Sequence, residues 1–78
     1  MQQLQKLRNH RDVSVANAAL TILTIMNHYD NGLIDVNSRA LLLKNLKTKM
    51  ASEISTMDTD AIIVLNDIVT NLINHYLR

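Results

Sequence analysis

In 78 residues this chain contains a single glycine, Gly32, and no proline, so almost nothing in it interrupts a helix. Those two residues are the strongest punctuators of local structure, and the only strong break here is Tyr29-Asp30-Asn31-Gly32. The expected fold class is therefore all-α: a single helical domain over 1–78, built as a small three-helix bundle with room for a short extra N-terminal helix. Cysteine is also absent, which removes disulfides and thiolate metal sites. A core in a domain below about 80 residues rarely supplies more than about 3–5 kcal/mol without a staple. Completion by oligomerisation or by a partner is the expected remedy.

The helices are read from their apolar spacing. Val15, Ala18, Ala19, Ile22, Ile25, Met26 and Tyr29 form one i, i+3/i+4 series, and Ala16, Leu20 and Leu23 widen it past half the circumference. The polar positions Asn17, Thr21, Thr24 and His28 make a narrow line. A helix apolar on three sides belongs at the centre of a bundle. Leu4 and Leu7 continue the series backwards, so residues 3–10 and 13–29 are either two helices or one; Asp12 and Ser14 are N-cap candidates that would separate them. The next helix is expected over 37–55, capped by Asp35 or Asn37, with the stripe Val36, Ala40, Leu43, Leu46, Met50, Ile54 and Met57. The last is expected over 59–77. Asp58 caps it, Met57 and Ile62 staple its start, and Ala61, Leu65, Ile68, Leu72 and Tyr76 form the stripe, flanked by Ile62, Val69 and Ile73.

Net charge is only +1, but sign alternates along the chain. Lys6, Arg8 and Arg11 are followed by Asp12, Asp30 and Asp35; Arg39, Lys44, Lys47 and Lys49 are followed by Glu53, Asp58, Asp60 and Asp67. A dedicated polyanion binder shows a basic excess, whereas alternating blocks suit helices that pair through complementary faces. Residues 13–29 carry no Asp, Glu, Lys or Arg. Their Ser, Asn and Thr content nevertheless suits a buried helix better than a membrane span, which takes about 20 predominantly apolar residues. No direct membrane insertion, no signal peptide and a cytoplasmic location are the expectation.

Catalytic chemistry finds no foothold in the residue pattern. Asn27-His28-Tyr29 and Asn74-His75-Tyr76 echo each other at helix ends, but no H-x-x-x-H spacing joins the histidines. The carboxylates sit mostly at helix starts, and the serines lack a glycine elbow. The expectation is a non-enzymatic protein with no cofactor, no metal and no small-molecule substrate. Met26, Met50 and Met57 fall on apolar stripes and are assigned to packing.

Protein association has the positive case. Ala61-Ile62-Ile63-Val64-Leu65 puts five apolar residues in a row, and a three-helix body cannot face all of them inward. Ile63 and Val64 are the first candidates for an interface, with Ala19, Leu23, Tyr29 and Tyr76 behind them; the partner is another protein, a second copy, or both, a dimer being expected. The alternative is a small nucleic-acid-binding transcriptional regulator that places Arg39, Lys44, Lys47 and Lys49 against phosphates. Leu43-Lys44-Asn45-Leu46-Lys47 and Leu65-Asn66-Asp67-Ile68 belong to an Asn/Asp/Ile/Lys-rich helical text. With the chain's length, that text resembles the small accessory regulators of T-even-type tailed phages, the cytoplasmic lysis-inhibition antiholins among them. The resemblance spans the chain without a signature motif and transfers no site residue. It implies a soluble protein in the host cytoplasm that binds the cytoplasmic part of a holin and delays lysis.

Overall fold

The computed structural model describes residues 2–55 and 58–76, without the side chains of residues 2, 75 and 76. Every regular element among them is helical: α1 (Gln2–Arg8), α2 (Val13–Asp30), α3 (Val36–Ser52) and α4 (Thr59–Tyr76). The N-terminal stretch is thus two helices rather than one, and Asp12 makes the break. Its backbone is extended at φ −77° and ψ 115°, and its carboxylate accepts from the Ser14 amide at 3.0 Å. This satisfies one of the amides a helix start leaves unbonded.

The α2–α3 turn is set by the one glycine. Gly32 has φ +73°, a left-handed conformation that only glycine adopts without strain. The Gly32 amide donates to the Tyr29 carbonyl at 3.0 Å and the Leu33 amide to the His28 carbonyl at 2.8 Å. Together these bonds form a complete Schellman end. Asp35 then caps α3, accepting from the Ser38 amide at 2.7 Å. Asp58 caps α4 through one oxygen, which accepts from the Asp60 and Ala61 amides at 3.0 and 3.3 Å. Met57, named above for the hydrophobic staple and the α3 stripe, lies outside the described residues.

α2 is the hub, packing on α1, α3 and α4, while α3 and α4 also pack on each other. One core joins all four helices: Leu4 from α1, Val15, Ala18, Ala19, Ile22, Ile25 and Met26 from α2, Leu43, Leu46 and Met50 from α3, and Ala61, Ile62, Leu65, Val69 and Leu72 from α4. The line Asn17, Thr21, Thr24 and His28 is exposed, and so is Leu20 beside it, which the apolar spacing places in the widened stripe. Thr21 and Thr24 donate their hydroxyls to the carbonyls four residues back at 2.8 Å.

Two apolar stripes differ from expectation. α3 ends at Ser52 instead of Ser55, where the Ser52 hydroxyl donates to the Lys49 carbonyl at 2.7 Å and the Glu53 amide closes the last turn. A serine bonding back to the backbone competes with helix continuation, and Ile54, past that end, is 59 % exposed. Val36 at the other end is exposed too. In α4 the buried face takes in Ala61, Leu65 and Leu72 of the expected stripe together with Ile62 and Val69 from its flank, with Ile68 and Ile73 half-buried. The buried face is wider than the expected stripe, because the helix must serve both α2 and α3.

Candidate interaction surface

Arg39 is the largest departure from a sequence reading. It was a candidate phosphate contact, yet it is 1 % exposed, and its guanidinium carbon lies 4.0 Å above the centroid of the Tyr29 ring. The reason is positional: Arg39, Leu43, Leu46 and Met50 are spaced i, i+4, i+7, i+11, so the arginine stands on the core line of α3. That spacing was visible in the sequence and is the signal that finds it. Cation–aromatic stacking of this kind is worth about 2 kcal/mol when desolvated.

The rest of the basic set does not form one face. Lys47 is half-buried and donates from Nζ to the Thr70 hydroxyl of α4 at 3.0 Å. Lys44 and Lys49 are exposed, but five positions on a helix turn through about 140°, so they point to different sides. Buried Arg39 has no surface to offer a phosphate backbone.

The interface candidates separate equally clearly. Ala19 is fully buried, since the hub helix α2 has neighbours on three sides; it cannot meet a partner. Tyr29 is half-buried with its ring covered by Arg39. Leu23 and Val64 are half-buried, and the side chain of Tyr76 lies outside the described residues. Ile63 alone is open, at 55 % exposure.

Ile63 stands at the rim of a groove of about 200 Å³ between α3 and α4, lined by Lys47, Met50, Ala51, Ile54, Ile62, Ile63 and Asn66. The two exposed isoleucines, Ile54 and Ile63, flank it from opposite sides. Along α3, Lys44, Lys47 and Ala51 are spaced i, i+3, i+7 and share a face; along α4, Asp60, Ile63 and Asp67 do the same. The lining itself is apolar apart from Lys47 and Asn66, and by this spacing Lys44 stands outside it on the α3 side and the exposed Asp60 and Asp67 on the α4 side. A second, shallower surface between α1 and α2 is lined by Gln5, Arg8, Leu20, Leu23, Thr24, Met26, Asn27 and Asp30.

Where α2 and α4 begin, the end of the bundle opposite Arg39, is a polar cluster that no sequence spacing announced. Oδ2 of Asp12 accepts from the Asp58 amide at 3.0 Å, across 46 positions of chain. The Asp12 amide donates to Nδ1 of His10 at 3.0 Å, which puts the proton of the neutral ring on Nε2, 3.7 Å from Oδ2 of Asp58. Although it pairs a histidine with carboxylates, both oxygens of Asp12 and one of Asp58 are committed to backbone amides. This is capping chemistry, and it joins the starts of α2 and α4.

Among the described residues no group of three histidine, aspartate or glutamate side chains is close enough to hold a metal ion, and no helix is long and apolar enough to cross a membrane. No protein family, curated protein or solved structure matches the chain.

Proposed function

We propose that this protein is a small non-enzymatic regulator that works by binding protein, and that the α3–α4 groove is where it binds. The observation that carries this reading is the pair Ile54 and Ile63, each more than half exposed beside a groove with apolar walls. Exposed apolar surface gathered in one place and rimmed by charge marks an interaction site more often than scattered exposure does. An amphipathic helix laid along the groove would bury both isoleucines and meet charge on either side. The antiholin resemblance would narrow the partner to a holin's cytoplasmic segment; its support is the sequence text alone.

A photo-crosslinking amino acid at position 63 tests the reading, with the exposed Asn45 on the outer side of α3 as the control. A defined protein adduct at 63 and none at 45 is the expected result. Equal labelling at both positions, or none at 63, would end the proposal.

A further inference from the structure

Charge of opposite sign stands on the two sides of the groove, Lys44 and Lys47 on α3 and Asp60 and Asp67 on α4, and that arrangement selects an occupant. Resting on the reading of this groove as a protein-docking site, we infer that its occupant is a second copy of this chain, related by a two-fold axis that lies in the interface parallel to α3 and α4. A surface that is cationic on one side, anionic on the other and apolar between is complementary to itself when turned about such an axis. In a two-fold interface the same patch serves both partners, so α3 of each copy lies over α4 of the other.

Register within the chain decides which groups meet. Lys47 is level with Thr70 through their 3.0 Å bond, and α3 and α4 run antiparallel, so Met50 and Ala51 are level with Asn66 and Asp67. A rotation about an axis along the helices preserves level. It brings the Lys47 rim of one copy within one helical turn of Asp67 on the other, well inside lysine's reach, and sets Ile63 over the other copy's Ala51 and Ile54. Turning the partner about an axis across the helices would instead lay lysine on lysine and aspartate on aspartate, which charge repulsion disfavours. A standard interface takes about 800 Å² from each partner, roughly a sixth of the 5151 Å² surface, so one helix-pair face is sufficient.

The test is a complementary pair of charge reversals, Lys47→Glu and Asp67→Lys, read by sedimentation equilibrium over a concentration series at moderate salt. Wild type is expected to dimerise. Each variant alone sets like charges together twice per dimer, and its dimer dissociation constant is expected to rise at least tenfold. Mixed one to one, the two variants restore both pairs in the heterodimer and only there, so association should return to within a few-fold of wild type. Far-UV circular dichroism checks the fold of each variant. Asp67 is exposed, so Asp67→Lys keeps the test decisive if Lys47→Glu fails to fold. A wild-type monomer throughout the series, or a dimer indifferent to Asp67→Lys, overturns the inference. If position 63 still crosslinks to a different protein in that event, the docking reading survives without the second copy; if it crosslinks to nothing, both are gone.

Discussion

The two ends of the bundle are closed by opposite means. Where α2 and α4 begin, carboxylates and a histidine face backbone amides, and the link from Asp12 to the Asp58 amide ties together helix starts that are far apart in sequence. Where α2 ends and α3 begins, a buried arginine is stacked on a half-buried tyrosine beside a glycine turn. The first end depends on hydrogen-bond direction and tolerates water at its edge. The second depends on packed volume and on a charge kept away from water. A small chain without cysteine has to close its core at both ends without disulfides, and the contrast shows two chemistries doing so with few residues each.

The heaviest blow to this arrangement should be Arg39→Ala, which empties a fully buried site and removes the stack on Tyr29. We expect a loss of about 2–4 kcal/mol by chemical denaturation. Arg39→Met keeps most of the volume without the charge and should recover at least half of that loss, since replacing a buried charge by a packed apolar residue is often well tolerated. A methionine variant as unstable as the alanine one would show that the charge, not the volume, holds that end. At the opposite end, Asp12→Ala should cost about 2 kcal/mol, because it uncaps α2 and also orphans the Asp58 amide. Asp12→Ser can still cap α2 but is too short to reach Asp58, so it should fall about midway between. Equal stability of the serine variant and wild type would make the long-range bond energetically idle.

Gly32→Ala tests the turn itself. A methyl group at that position meets no atom within 4 Å, so the whole cost, about 1 kcal/mol, comes from holding a non-glycine residue at left-handed φ. Asparagine, which tolerates that region better, should lose less. The smallest effect concerns Asp35. The Ser38 amide holds its carboxyl below the ordinary value of 3.8, helped by the Ser38 hydroxyl and the Asn37 amide. A depressed carboxylate adds stability that is fully present above the unfolded value and is lost as pH falls through the lower folded one. Asp35→Asn should therefore flatten the acid limb of the stability profile below about pH 4 and leave its shape near neutrality unchanged.

What the sequence disclosed was local. Asp35, Asp58 and Gly32 act within three or four residues of themselves, so their roles follow from spacing alone. The hub position of α2 followed from its breadth of apolar surface. Arg39 groups by residue type with its lysine neighbours as a surface cation, although its i, i+4, i+7 partners are core residues, and in the fold position outweighs type. Ala19 is as good an interface candidate as any by sequence, because nothing in a single helix tells which of its apolar sides its neighbours will cover. The link between Asp12 and Asp58 depends on how α2 and α4 dock and leaves no trace in spacing. Ile63 was legible as surplus apolar surface, but the groove that gives it meaning needs α3 beside it, with Ile54 beyond a helix end that serine chemistry brings forward.

The bond from Asp12 to the Asp58 amide has a consequence for how the molecule breathes. One carboxylate caps α2 with one oxygen and holds the start of α4 with the other, so α4 cannot lift away while leaving that residue fully engaged. Native-state hydrogen exchange would then find the first-turn amides of α2 and α4 opening as one cooperative unit, while α1, anchored to the core through Leu4 and Leu7, exchanges at a rate of its own.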